Sequence, residues 1–275
     1  MRAGFTALLA LCLGVALAFL TVPILALFTE VPLRDVPGLL KDPAVRDTLA
    51  VTLRTNAIAN ALILGFGTPA AYLLGTRVFP GRGALITLIE LPLVLPPAVA
   101  GIGLLAAFGA GGLFGDELQS AGIILPFTEW AVVAAVVFVA SPFYLRQAIT
   151  AFESVDPNLT DAARTLGASP FRTFARIAMP LAASGLAAGW VLAFARGIGE
   201  FGATIVFAGN VRGETQTLTL TIYEQLEASF DVALSIGILL VMISAFVLIS
   251  YKLLSWRRSS STSPILFVPS RSASS

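Results

Sequence analysis

Few residues of this 275-residue chain could do chemistry, and the missing types exclude several functions. The chain has no His, which excludes a Ser-His-Asp triad, and a single Cys, Cys12, which excludes an internal disulfide. Together these absences argue against a zinc site of the usual kind. The lysines, Lys41 and Lys252, lie in no GxxxxGK[ST] phosphate loop, so the chain cannot be its own Walker-type ATPase. We therefore expect no catalytic residue, metal or cofactor.

The stretch Phe194–Asn210, FARGIGEFGATIVFAGN, carries the most informative polar residues. Arg196 and Glu200 are the only charges that our span boundaries place deep in the membrane. Such charges usually face a bundle interior or a water-filled path, although a pair one helical turn apart can simply neutralise itself. A literal GxGxxG pattern is formed by Gly197, Gly199 and Gly202. Since no strand precedes it, we reject a dinucleotide site and expect a hinge or a close approach of a partner chain.

The composition is that of a polytopic membrane protein. Hydrophobic residues make up 57% of the chain, charged residues make up 12%, and the mean hydropathy is +0.89. About 20 apolar residues suffice to span a bilayer as a helix. Six stretches qualify, at about 5–27, 57–76, 84–108, 130–149, 182–207 and 232–254. Arg and Lys concentrate on one side of these spans, which predicts that both chain ends and the segment between the fourth and fifth spans are cytoplasmic.

Two spans contain helix-disturbing residues. The third includes Leu91–Pro97, LPLVLPP, whose three prolines remove backbone donors and must bend or break the helix. Such a kink can serve packing alone, or it can line a substrate path, as broken helices in transporters often do. In the fifth span, Gly185 and Gly189 form a GxxxG pair, which predicts close packing against another helix. Polar Asn56 and Asn60 near the second span predict that it faces protein rather than lipid.

The segment Asp156–Pro180 is polar and helix-forming, between two apolar spans. Asp156 suits an N-cap and Pro157 the first helical position, while Gly167 suits the residue after a helix end. Ser169 and Pro170 repeat the start signal, so we expect a second short helix. Apolar residues share one face of each helix: Leu159, Ala162, Ala163 and Leu166 on the first, and Phe171, Phe174 and Ala178 on the second. This face either packs on the chain's own helices or docks a partner protein.

The spacing in this segment resembles the cytoplasmic loop of ABC importer permease subunits. That loop has the form E-A-A, three residues, G, nine residues, I-x-L-P. The matching residues here are Asp161, Ala162, Ala163, Gly167, Ile177, Met179 and Pro180, with Asp161 in place of Glu and Met179 in place of Leu. The resemblance implies that the loop, 151–180, inserts into a cleft of a separate ATP-hydrolysing subunit and couples it to transport.

A narrower resemblance is to the molybdate permease subunits of ABC importers. It rests on LPLVLPPAVAG at 91–101, GEFGATIVFAGN at 199–210 and ETQTLTLTIYEQLE at 214–227. It implies an all-α polytopic membrane protein with about six transmembrane helices, N-in/C-in, and the type I importer permease fold. It also implies a homodimer, two copies of an ATP-binding subunit and an external substrate-binding protein. The residues expected on the translocation path or gate are Pro96, Pro97, Arg196, Gly199, Glu200, Gly202 and Thr204.

We interpret residues 1–30 as a retained first transmembrane helix, 48–254 as the transport domain and 255–275 as a disordered cytoplasmic tail. The expected function is that of the permease subunit of an oxyanion importer in a bacterial inner membrane, with molybdate as the first candidate. Sulfate, thiosulfate or tungstate are alternative substrates. A stand-alone secondary transporter is the alternative of a different class, and an intramembrane enzyme is a weaker one. Nucleic acid is not an expected partner.

Overall fold

The structure, a computed structural model, describes residues 2–30, 38 and 40–260, and all regular structure in those residues is helical. The helices are α1 (Arg2–Glu30), α2 (Pro43–Thr76), α3 (Arg82–Val94), α4 (Pro97–Phe108), α5 (Gly115–Ser120), α6 (Glu129–Glu153), α7 (Pro157–Thr165), α8 (Pro170–Thr173), α9 (Met179–Ile198), α10 (Gly202–Phe207), α11 (Leu218–Ala228) and α12 (Phe230–Ser260). A π-helical turn, Phe174–Ala178, joins α8 to α9. Most of the predicted disordered tail, 261–275, lies outside the described residues.

Five helical segments in the described part of the chain are long and apolar enough to cross a membrane. They are α1, α2, α6, the run Pro170–Ile198 and α12, and the pair α3 and α4 makes a sixth span if its two halves are counted together. The axes of α3 and α4 differ by 116° across Leu95 and Pro96. The predicted number of spans and the predicted proline break are therefore confirmed.

The helix that contains the predicted second span begins well before residue 57, at Pro43. The carboxylate of Asp42 caps the helix by accepting a hydrogen bond from the Ala44 amide at 2.9 Å. Thr48, Thr52 and Thr55 then extend the helix as buried residues within the bundle. Their hydroxyls bond to carbonyls of the preceding turn, so these polar side chains are accommodated inside protein, as expected for this span.

The fifth span was predicted to continue to residue 207, but its helix is interrupted before that residue. Helix α9 ends at Ile198, and Gly199, Glu200 and Phe201 separate it from the short helix α10. The Glu200 carboxylate Oε1 accepts a hydrogen bond from the Ala203 amide at 2.7 Å and so caps α10. The glycines weaken the helix at this point, and the buried carboxylate supplies the alternative partner that starts a new one.

Helices α2, α6 and α9 form the centre of the bundle. Helices α2 and α6 run parallel, since Arg54 pairs with Glu129 at one end and Gly75 lies against Ile149 and Phe152 at the other. Helix α9 runs antiparallel to α6, with Gly185 beside Ala151. A Cβ on Gly185 would lie 2.5 Å from the Ala151 Cβ, so the predicted packing role of the GxxxG pair is confirmed.

Apolar side chains fill two adjoining regions of this bundle. The larger lies among α2, α6 and α9 and includes Ile63, Tyr144 and Phe152. The smaller lies among α4, α6 and α10 and includes Leu104 and Phe207. Helix α1 lies on the outside of the bundle and packs near its own C-terminal end against α12.

Candidate functional site

The two helix breaks meet in the folded chain. A Cβ on Gly202, at the start of α10, would lie 2.5 Å from the Pro97 Cβ at the start of α4. One turn further along α4, a Cβ on Gly101 would lie 2.6 Å from the Val206 Cβ. The structure therefore brings the predicted residues Pro96, Pro97 and Gly202 to one junction, where the close approach leaves no room for a side chain at either glycine.

Glu200 connects three elements beside this junction. The residue is 2% exposed, and its Oε2 lies 2.6 Å from Nη2 of Arg196 on α9. Its Oε1 caps α10, and its backbone carbonyl accepts a hydrogen bond from the Thr219 hydroxyl on α11 at 2.7 Å. The predicted Arg196–Glu200 pair is thus present, but Glu200 lies beyond the end of α9 rather than within it.

The two members of the Arg196–Glu200 pair differ in their exposure to solvent. The Arg196 side chain is 27% exposed, whereas that of Glu200 is almost completely enclosed. Thr204 is fully buried, and its hydroxyl has no hydrogen-bond partner among the described residues. A Cβ on Gly199 would meet only the Ala195 carbonyl oxygen, at 3.8 Å. The Arg196 side chain is therefore more accessible to solvent or to another chain than the Glu200 side chain.

Side chains of α2 contact the C-terminal part of α9 and the start of α11, on either side of Glu200. The amide of Leu218, at the start of α11, donates a hydrogen bond to the Thr52 hydroxyl at 2.8 Å. Asn56 Nδ2 donates to the Phe194 carbonyl at 3.4 Å, and a Cβ on Gly197 would lie 2.5 Å from Asn56 Oδ1. The sequence indicated that these polar residues face protein, but it did not indicate which segments they bind.

A second charge pair was missed, and the expectation that Arg196 and Glu200 are the only charges deep in the spans is wrong. Glu90 on α3 lies 3.6 Å from Arg146 on α6, and both residues lie within the predicted spans. The signal was available, since Glu90 falls inside 84–108. Its partner depends on the packing of α3 against α6, which no local pattern reveals.

The segment between α6 and α9 presents an uncovered surface. The predicted caps are confirmed: Asp156 accepts from the Asn158 amide at 2.9 Å, and Gly167 has φ +84°. No residue of α7 is buried, and Leu166 is 88% exposed. Asp161 forms an ion pair with Arg164 on its own helix at 3.5 Å. The apolar residues of α7 therefore do not pack into the rest of the described chain.

The predicted second helix of this segment is not separate. Ser169 caps α8, but α8 continues through the π turn into α9, where the Met179 amide donates to the Phe174 carbonyl. The predicted apolar stripe is also divided, because Ala178 is buried while Phe171 is exposed. The other residues of the motif surround this surface: Ala162 and Pro180 are exposed, and Ala163 and Ile177 are half-buried.

The fold and the uncovered loop define a class of transport protein. A chain of a bacterial alginate ABC transporter, solved in complex with an alginate pentasaccharide-bound periplasmic protein, has the same fold. The TM-score is 0.73 at 18% sequence identity, covering 94% of this chain and 95% of that chain. The architecture is that of the membrane-spanning permease subunit of type I ABC importers.

The chain belongs to the family of binding-protein-dependent transport system inner membrane components, which matches residues 67–260. It is therefore a multi-pass inner-membrane transport subunit, and the predicted family resemblance is confirmed. The molybdenum transport system permease protein ModB of Mycobacterium tuberculosis is 38% identical over 237 residues, covering 85% of this chain and 88% of that relative. The sulfate transport system permease protein CysT of Escherichia coli is 34% identical over 212 residues, covering 77% and 76%.

Proposed function

We propose that this chain is the permease subunit of an ATP-driven importer of molybdate. The observation that carries this proposal is the 38% identity to a molybdenum transport permease across almost the whole of both chains. Sulfate is the second candidate, since a sulfate permease is 34% identical over a slightly smaller share of the chain. Both anions are tetrahedral dianions, so a translocation path of the same charge and size could carry either.

The exposed α7 supports docking to a separate ATP-hydrolysing subunit. A short helix with an exposed Leu166, held at both ends by caps, is suited to insertion into a cleft of a partner. The residues assigned to this contact are Asp161, Ala162, Ala163, Gly167, Ile177 and Pro180. Two permease chains with two ATP-binding subunits would bring two such helices side by side, so that closure of the ATP-binding subunits moves both together.

The apolar outer face of α3 supports association with a second copy. Helix α3 buries none of its residues, although Leu85, Leu88 and Leu91 are large and apolar. Its neighbour α4 meets α10 at the junction of the two breaks, so a homodimer formed through this side would place both junctions near its axis. A substrate-binding protein would deliver the anion at the end of the bundle opposite α7.

The charges at the junction suit passage of an anion rather than its tight retention. A lone cation at membrane depth would hold a dianion strongly, but Glu200 lies 2.6 Å from Arg196 and offsets its charge. We assign Arg196, Gly199, Glu200, Gly202 and Thr204, with Pro96 and Pro97, to the gate. In this assignment the pair stabilises the broken helices, and the partly exposed Arg196 side chain remains available to the path.

The test is ATP hydrolysis by the complete complex reconstituted in liposomes with its ATP-binding subunit and binding protein. We expect molybdate-loaded binding protein to stimulate hydrolysis and uptake, with tungstate similar and sulfate weaker. Stimulation by sulfate but not molybdate would replace the first candidate with the second. Uptake that continues without ATP would instead indicate a secondary transporter.

A further inference from the structure

We propose that Arg82 is a positioning residue that links the α7 loop to the broken helix pair α3–α4, so that movement of the loop reaches the gate. This inference rests on the proposed function, because the movement that Arg82 would transmit is the one that the ATP-binding subunits impose on the loop. It assigns to one side chain a role that neither the sequence motifs nor the junction at Glu200 includes.

Arg82 joins the ends of three helices. It is the first residue of α3, and its Nε donates a hydrogen bond to the carbonyl of Leu74, in the last turn of α2, at 2.6 Å. Its Nη2 forms an ion pair with the carboxylate of Glu153, the last residue of α6. The Arg82 side chain is 27% exposed and that of Glu153 is 44% exposed, so water screens this ion pair only in part.

Glu153 lies in the loop 151–180, at the end of α6 and close to the start of α7. Only Ser154 and Val155 separate it from Asp156, the N-cap of α7. Beside it, a Cβ on Gly75 would lie 2.9 Å from both the Ile149 carbonyl oxygen and the Phe152 Cβ, so the ends of α2 and α6 are tightly packed. A displacement of α7 therefore reaches Glu153 through a short segment of chain attached to a rigid base.

The base of the loop is also held on its other side. Phe152 packs edge-on against Tyr72 of α2, with ring centroids 5.3 Å apart, and Phe174 of the π turn lies 4.8 Å from the same Tyr72 ring. The segment leaving α6 and the segment entering α9 thus share one aromatic contact. We infer that the loop and the ends of α2 and α6 move as one body.

Helix α3 joins that body through α6. It buries no residue completely, but its half-buried Ile86 and Ile89 pack against the apolar core among α2, α6 and α9. Two ion pairs of opposite sense join these helices: Arg82 of α3 with Glu153 of α6, and Glu90 of α3 with Arg146 of α6. Arg82 is 27% exposed and Arg146 is 70% exposed, whereas the two carboxylates differ little, so water screens the Arg82 pair less. Helix α3 then leads through Pro96 to α4, which packs on α10 at the gate.

The experiment measures molybdate transported per ATP hydrolysed by the reconstituted complex. Arg82→Gln removes the ion pair, and we expect this ratio to fall by about fivefold or more while complex yield stays near that of the unmodified protein. Arg54→Gln is the matched control, because Arg54–Glu129 joins α2 and α6 at the opposite end. The ratio should be unchanged in that variant.

The exchanged pair Arg82→Glu with Glu153→Arg should recover part of the lost ratio, which a merely damaged fold would not. If Arg82→Gln assembles poorly, Glu153→Gln removes the same ion pair and keeps the hydrogen bond to Leu74. An unchanged ratio in either single variant, or an equal fall in Arg54→Gln, overturns the inference. If the unmodified complex prefers sulfate, the proposed substrate is wrong, and the ratio measured with sulfate tests Arg82 in the same way.

Discussion

At the scale of single residues, Glu200 has two separable contributions, because its two carboxylate oxygens have different partners. Oε2 pairs with Arg196, and Oε1 caps α10 at the Ala203 amide. The Glu200→Gln variant keeps an acceptor for Ala203 but leaves the Arg196 charge without compensation. Glu200→Ala removes both contacts, including a cap of about 0.5–2 kcal/mol.

For Glu200→Gln we expect a loss of about 2–4 kcal/mol in the stability of the permease, below the full cost of a completely buried lone charge because Arg196 is partly exposed. Adding Arg196→Gln should recover more than half of this loss, since no lone charge then remains. The measurement is a double-mutant cycle on thermal unfolding and complex yield. Strictly additive losses would show that the residues do not compensate each other.

A second cluster of polar side chains, centred on Glu224, holds the loop between α10 and α11 in place. Glu224 on α11 accepts hydrogen bonds from Arg212 at 2.5 Å, Gln216 at 2.5 Å and Asn210 at 3.4 Å. The hydrogen bond from Arg212 holds the pKa of Glu224 below its ordinary value, and the same contact raises the pKa of Arg212. The carboxylate therefore fastens the loop to α11 in its ionised form.

Because the folded pKa of Glu224 is lowered, this stabilisation is complete above the ordinary value of 4.5 and is lost as the pH falls through the lower folded value. We expect the protection of the backbone amides of residues 210–217 against exchange, relative to their intrinsic rates, to decrease below about pH 4.5. In Glu224→Gln this protection should be low at every pH. Identical pH profiles for the variant and the unmodified protein would exclude Glu224 as the titrating group.

At the scale of elements, Gly167 ends α7 with φ +84°, a conformation that costs a β-branched residue about 1–2 kcal/mol. We expect Gly167→Val to insert in the membrane normally, since no span is altered, but to lose uptake because α7 is misdirected. Gly213 has φ +78° and open space around it, so Gly213→Val carries the same local strain in another loop. Equal uptake by both variants, measured at equal expression, would remove the coupling role of α7.

Two neighbouring residues of α4, just after the break, differ in exposure. Val99 is 45% exposed, whereas Ala100 is 3% exposed and packs towards α10. In a chain lacking Cys12, we expect Val99→Cys to react with a water-soluble thiol reagent in at least one nucleotide state. Ala100→Cys should react far more slowly in every state. Absence of labelling at Val99 in all states would assign the break to packing alone.

At the scale of the whole molecule, the features that were predictable are those that depend on neighbouring residues in the chain. The caps of α7, the turn at Gly167 and the proline break after Val94 follow from local backbone chemistry. Hydropathy located the spans, but it missed residues 43–56 of α2, because their hydroxyls bond within the helix and face protein. The end of α9 was missed because the Glu200 carboxylate starts α10 there.

The contacts that assemble the site could not be predicted, since they join distant segments. The pairs Glu90–Arg146 and Arg82–Glu153 form because α3 returns antiparallel along α6, and the approach of Gly202 to Pro97 needs both helix breaks to coincide in space. Residue type alone indicated that several of these residues are important. Their partners emerged only from the packing of the bundle.

The π turn at Phe174–Ala178 has a consequence for how this protein tolerates length changes. A π turn contains one residue more than the α-helix it interrupts, and each α-helical residue rotates the chain by about 100°. Deleting a single residue here would restore ordinary helical hydrogen bonding and leave every cap intact. It would nevertheless turn α7 by more than a quarter of a circle about the axis of α9. The direction in which α7 projects from the bundle is thus determined by one extra residue in the π turn. We therefore expect related chains to vary in residue type at positions 174–178 far more readily than in the number of residues there.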